Sequence, residues 1–369
     1  MLALFQTMAA LPSPPGEERC VADIAIAHLG ALGLQVTEDD SGPSVGSTSG
    51  NLLCTLDATE ARGVPIFLCA HLDTVPPEGP IEPLVAEGVV RNAAGTILGA
   101  DNKAAVASML EAIARIVEQD RPHAGVELLL TTKEEVGLLG AKAFDAARLH
   151  ARVGFVYDQA APIGDIVLGA PHQRSVDVRF HGRAAHAGMY PEEGRSAIAA
   201  AARAVADLRL GRLDDETTAN VGVITGGTAR NVVPEHCGLV AEARSHDEGK
   251  LADLVQEMLD AITFAAGVGE CEVETRVLEG SRGYRFKEGD LPVELATRAL
   301  RSTGHLPRYG LTGGGADANV FNERGLACLN LANGMASIHT PDEHIAVADL
   351  ESMVDVTLAL VDAALHADE

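Results

Sequence analysis

Residues 64–73, VPIFLCAHLD, and residues 126–135, VELLLTTKEE, each run from a largely apolar segment, interrupted only by Glu127, into side chains that bind metals or carry protons. Neither segment alternates apolar with polar, so both faces of each strand must be covered. Between them lies AAVASMLEAIARIVEQ (104–119), with apolar residues at helical spacing. Buried strands separated by helices predict an α/β fold, a mostly parallel sheet with helices on both faces. NLLCTL (51–56) and GFVYDQ (154–159) read as further strands, and GEERCVADIAIAHLGALGL (16–34) as a helix opened by acidic residues. Ligands of such sheets collect beyond the carboxyl ends of the strands. His71 follows IFLCA, Glu134 and Glu135 follow VELLLTTK, and Asp158 follows VGFVY.

The pattern changes near residue 171. QRSVDVRFHG (173–182), SAIAAAARAVADL (196–208), ANVGVI (219–224), GLVAEARS (238–245), KLADLVQEMLDAITFAA (250–266) and ECEVETRVL (270–278) read as strand, helix, strand, strand, helix, strand. That is the βαββαβ order of a ferredoxin-like α+β unit. The reading places an inserted domain at 171–285 and a discontinuous first domain at 1–170 and 286–369. His339 comes after the insert, so only a fold can bring it to His71.

The 369 residues are 47% hydrophobic and 22% charged, ordinary for a globular chain long enough for two domains. A formal charge of −25 argues against a nucleic-acid surface, which needs clustered Lys and Arg. No segment has 18 uninterrupted apolar residues, so no membrane span is expected. Six scattered cysteines without a C-x-x-C pair suit free thiols in a reducing compartment, and a cytoplasmic location is expected.

Taken singly, the candidate residues have ordinary explanations. His71 in His71-Leu72-Asp73 could be a hydrogen-bonded histidine at a strand end, Asp101 in GADNKAA a helix cap, Glu134-Glu135 a solvated pair, and His339 a loop residue. Asp158 closes an apolar strand, where an unpaired charge is costly. Together, His71, Asp101, Glu135, Asp158 and His339, with Asp73 and Glu134 beside them, have the composition of a two-metal hydrolase site. A carboxylate that binds no metal is then available to move protons. LTGGGADANVF (311–321) has a glycine run, including Gly314, with little bulk to keep backbone amides from a substrate.

AHLDTVP, GADNKAA, TTKEEVGLLG, VYDQ and SIHTPDE occur in an order and spacing that closely resembles the dizinc hydrolases related to peptidase T, glutamate carboxypeptidase and succinyl-diaminopimelate desuccinylase. The resemblance spans essentially the whole chain and is nearest to the peptidase T-like branch. It implies a zinc-exopeptidase-like catalytic domain in which Asp101 bridges two divalent ions. His71 and Asp158 would complete one and Glu135 and His339 the other, with Asp73 orienting His71 and Glu134 acting as general base. The ions would be zinc, with cobalt or manganese compatible with the same donors. The family reads GADDKAG where this chain has GADNKAA, and its peptide bond after the aspartate is cis. The insert would be a lid and homodimerisation domain, with His186 on the oxyanion and Asn231 and Arg244 toward substrate. The implied activity is removal of the N-terminal residue from short peptides. N-acyl amino acid deacylase or carboxypeptidase activity on the same scaffold is the alternative, and a non-catalytic metal- or peptide-binding protein a more distant one.

Overall fold

In the computed structural model, which describes residues 1–367, alternate residues of the strand Ile66–His71 enter different packing layers. Ile66, Leu68 and Ala70 join the main apolar cluster with Val106 and Leu110 of the helix Ala100–Glu118. Phe67 turns to the other face and meets Phe321 edge-on, ring centroids 5.3 Å apart. Helices therefore cover both faces, as the largely apolar runs require.

The central sheet contains β1 (Val36–Glu38), β2 (Leu52–Leu56), β3 (Ile66–His71), β4 (Val126–Thr131), β5 (Val153–Gln159), β6 (Asp165–Ala170) and β7 (Ala327–Ala332). Their spatial order is β1-β2-β4-β3-β5-β7-β6. The four middle strands, β4, β3, β5 and β7, are parallel, and β2 pairs antiparallel with β4. The crossover from β3 to β4 is α2 (Ala100–Glu118), preceded in the chain by α1 (Arg19–Ala31). After the insert come α3 (Leu291–Ser302), α4 (Asp317–Glu323) and α5 (Val347–Leu365). The Tyr157 hydroxyl of β5 and the Thr357 hydroxyl of α5 share a buried hydrogen bond of 2.9 Å.

The chain divides into two compact units, Met1–Gly169 with Arg285–Glu369, and Ala170–Tyr284. The second is an antiparallel sheet in which Glu272–Glu279, His172–His181, His236–Ser245 and Thr217–Gly226 lie side by side. Helices Ala197–Asp207 and Glu248–Val268 cover one face of it and enclose a separate core around Val176, Phe180, Leu239, Met258 and Ile262. Ser196 and Asp247 cap these helices, accepting the amides of Ala199 and Lys250.

Besides β1 and β6, a small sheet has no counterpart in the sequence reading. Pro83–Ala86, Val89–Asn92 and His344–Ala346 form a small three-stranded sheet. Strands of three or four residues with mixed burial leave no apolar run to recognise. This sheet ties the segment after His339 to the segment that leads into Asp101.

Candidate metal centre

His71 is the last residue of β3, Asp158 the penultimate residue of β5, and Glu134 and Glu135 follow β4. All sit at the carboxyl edge of the parallel strands. Asp101 is the second residue of α2 rather than its cap, a place held by Gly99 in a left-handed conformation. The peptide bond between Asp101 and Asn102 is cis. His339 lies in a loop with φ 62, a left-handed conformation uncommon for a residue with a side chain.

The two oxygens of Asp101 face different imidazoles. Oδ1 is 3.2 Å from His71 Nε2, and Oδ2 is 3.3 Å from His339 Nε2. His71 Nε2 is also 3.7 Å from Asp158 Oδ1, and His339 Nε2 is 3.1 Å from Glu135 Oε1. The five residues thus divide around Asp101 into one pair, His71 with Asp158, and another, His339 with Glu135. Ligand-capable atoms of His71, Asp101 and Glu135 fall within 4.8 Å of one another, as do those of His71, Glu134 and Asp158. Glu134 therefore stands within reach of the same centre.

His71 Nδ1 lies 2.9 Å from the backbone carbonyl of Asp73 and 3.4 Å from its Oδ1. A carbonyl only accepts, so Nδ1 carries the proton and Nε2 is left for a metal. The Asp73 carboxylate does something further. It accepts the amide of Glu134 at 3.0 Å and that of Glu135 at 3.2 Å, fixing both glutamates to the end of β3.

A model of the M20-type peptidase dimerisation domain matches residues 172–270, and one of peptidase family M28 matches residues 51–169, which contain His71, Asp101, Glu134, Glu135 and Asp158. The protein YqjE of Bacillus subtilis strain 168 is 37% identical over 366 residues, 99% of this chain and 98% of that one. The solved structure of aminopeptidase PepT from Bacillus cereus ATCC 10987 shares 38% identity over 98% of this chain and 97% of its own, with a TM-score of 0.88. That of a tripeptidase from Staphylococcus aureus Mu50 shares 33% identity over 99% of this chain and 98% of its own, with a TM-score of 0.93. The chain belongs to the peptidase T-like M20 family. It is a metallopeptidase by that membership, and the resemblance in its motifs and the expected fold are borne out.

The electrostatics of this M20 peptidase fit divalent cations. Four carboxylates and two imidazoles converge in a largely buried space, and the carboxylates cannot all hold charge without a counterion. Burial, then the charge of Asp158, raises Glu134 well above the carboxylate range. Burial and Asp101 push Asp158 up to about 8. Burial opposes the charge on His71, but Asp101, Asp158 and Asp73 raise it well above the usual imidazole value. His339 is raised to about 10 by Asp101 and Glu135. Mixed nitrogen and oxygen donors with excess negative charge suit two divalent ions.

Two residues here were given no role from sequence. Glu343, four positions after His339, is buried and accepts the amides of Leu98, Gly99 and Asp101. Asp317 lies in the segment read only for its glycines. Its Oδ2 accepts the Thr131 hydroxyl at 2.5 Å, and burial pushes it up to about 6. A buried carboxylate cannot be told from a surface one by residue type alone. Gly314, expected to offer its amide to substrate, donates it to Thr312 Oγ1 at 3.2 Å.

Within the insert, His186 and Asn231 are neighbours: His186 forms an isolated bridge with Val232, and the Ala187 amide donates to the Asn231 carbonyl at 3.0 Å. Both are exposed. Arg244 is engaged by Glu242, whose two oxygens accept its Nε at 3.2 Å and its terminal nitrogen at 3.0 Å. No helix among the described residues is long and apolar enough to cross a membrane.

Proposed function

We propose that this peptidase is a dinuclear-metal aminopeptidase that removes the N-terminal residue from short peptides, tripeptides in particular. The observation that carries the reading is Asp101 with one oxygen toward His71 and the other toward His339. Asp101 would be shared by two ions, His71 and Asp158 completing one and Glu135 and His339 the other. Zinc is the ion proposed, since two imidazoles among carboxylates suit it, and cobalt or manganese would fit the same donors. When bound, such a pair polarises the scissile carbonyl and acidifies an attacking water.

Glu134 is the proposed general base. Three protein donors per ion leave it out of the ligand set, while Asp73 holds its backbone at the edge of the centre. Its raised affinity for protons suits a group that takes one from water and gives it to the leaving amine. Asp73 orients His71 through its carbonyl and Glu134 through its carboxylate. His186 is proposed as a donor to the developing oxyanion, with Asn231 and Arg244 toward the substrate. Arg244 would have to exchange Glu242 for a peptide carboxylate. Gly314 is retained as a small residue lining the approach of substrate.

The names of two similar proteins, aminopeptidase PepT and a tripeptidase, support the substrate class. Homodimerisation through the insert is part of the same reading, supported by exposed Val223, Ile224 and Val240 on its sheet. A cytoplasmic location is supported by six cysteines, all free. Side-by-side assays with a tripeptide series, peptides with a blocked N-terminus and N-acetyl amino acids test the activity. Preference for blocked or acylated compounds would replace it with a deacylase or carboxypeptidase.

A further inference from the structure

Glu343 is 2% exposed, and both of its carboxylate oxygens accept backbone amides. Its Oε2 accepts the amides of Leu98 and Gly99, each at 2.8 Å, and its Oε1 accepts the amide of Asp101 at 2.9 Å. These amides lie on the N-terminal side of the cis Asp101–Asn102 bond, where Asp101 and Asn102 leave helical geometry and the helix ladder supplies no acceptor for them. A cap ordinarily comes from the residue before the helix. Here that residue is Gly99, with φ 75 and no side chain to offer. A Cβ at Gly99 would come within 3.3 Å of Thr74 Cγ2, so a larger capping residue is poorly accommodated. The cap arrives instead from the segment that carries His339, and the small sheet pairing His344–Ala346 with Val89–Asn92 anchors it.

We propose that Glu343 is a positioning residue for Asp101, clamping the backbone that turns one carboxylate oxygen toward His71 and the other toward His339. The inference rests on reading Asp101 as the ligand shared by two cations. Because the clamp and His339 lie in one short segment, the two halves of the centre would be set in register by a single piece of chain.

The test is Glu343→Gln. The amide keeps one acceptor oxygen but sets an NH2 group against a backbone N–H. Calorimetric titration of metal-free protein with Zn2+ is expected to show at least one ion bound about 10- to 100-fold more weakly. At saturating Zn2+, kcat is expected to fall by a similar factor with KM within about twofold. Hydrogen exchange at Leu98, Gly99 and Asp101 in the metal-free protein should quicken. Glu343→Asp, which keeps both oxygens, should recover part of the affinity, and the exposed neighbour Asp342→Asn should match wild type. Wild-type zinc affinity and kcat in Glu343→Gln would overturn the proposal. So would a loss that merely tracks global unfolding, with Glu343→Asp no better than Glu343→Gln. A wild-type chain that takes up no metal would sink the dinuclear reading instead. The exchange measurement would still judge the clamp, and unchanged exchange in Glu343→Gln would overturn it.

Discussion

The carboxylate of Asp73 accepts the backbone amide of Glu134 at 3.0 Å. A residue just past β3 thereby sets the position of a residue just past β4, and its second oxygen does the same for Glu135. In Asp73→Asn one of these amides would face an NH2 group instead of an oxygen. We expect a loss of about 1–3 kcal/mol in stability and a fall in kcat of about 10-fold or more. Urea denaturation and steady-state kinetics check both, and an unchanged kcat would remove Asp73 from the positioning of the site.

Glu134→Gln preserves shape and removes the proton acceptor. Activity should drop by on the order of 10² or more while two metal ions per chain are retained. Metal analysis beside kcat separates the roles. If metal is lost together with activity, Glu134 is a ligand, as its closeness to His71 and Asp158 would permit.

Removing metal should make stability depend on pH. Folded Asp158 keeps its proton up to about 8, through burial and the charge of Asp101, whereas an unfolded aspartate loses it near ~3.9. Between those values the native state binds more protons than the unfolded one, so stability falls as pH rises from about 4 to about 8. His339, raised to about 10 by Asp101 and Glu135, has the same sign above its unfolded value of about 6.5. Bound cations take the place of those protons and should flatten the slope. At 100 times its dissociation constant each ion should add about 2.7 kcal/mol. Denaturation near pH 5 and near pH 8, with and without chelator, provides the check; equal metal-free stability at both would contradict it.

Gly154→Ala should destabilise the sheet beneath the site. A Cβ at Gly154 would sit 2.0 Å from Phe67 Cζ, and that ring is itself held against Phe321. Overpacking of this kind costs about 1–3 kcal/mol. Phe67→Leu in the same background should return part of it, which a double-mutant cycle would measure. Additive effects of the two substitutions would show that the contact is not the cause.

The legible parts of this protein are those where one local property has one meaning. The runs ending at His71 and Thr131 are apolar except for Glu127, which points to strands covered on both faces, and polar residues at their ends have a functional reason to be there. The insert was legible because its segments follow the βαββαβ order of a ferredoxin-like unit, with strand and helix periodicities that differ clearly. The resemblance assigns Asp73 to His71, but its carboxylate also serves Glu134 and Glu135, and no local pattern announces a contact 61 residues away. Arg244, expected to reach toward the substrate, is instead held by Glu242, two positions earlier on the same face of its own strand.

The chain by itself determined which residue types reach the carboxyl edge of a parallel sheet, because hydrophobic periodicity dictates strands and helices, and strand ends dictate where loops begin. Tertiary structure alone decided which oxygen of Asp101 faces which histidine, and that Glu343 closes the start of α2 from some 240 positions away. Hydrogen bonds between distant segments depend on orientation to within a few tenths of an ångström. Composition and spacing along the chain do not contain that quantity; it exists once the sheets have packed.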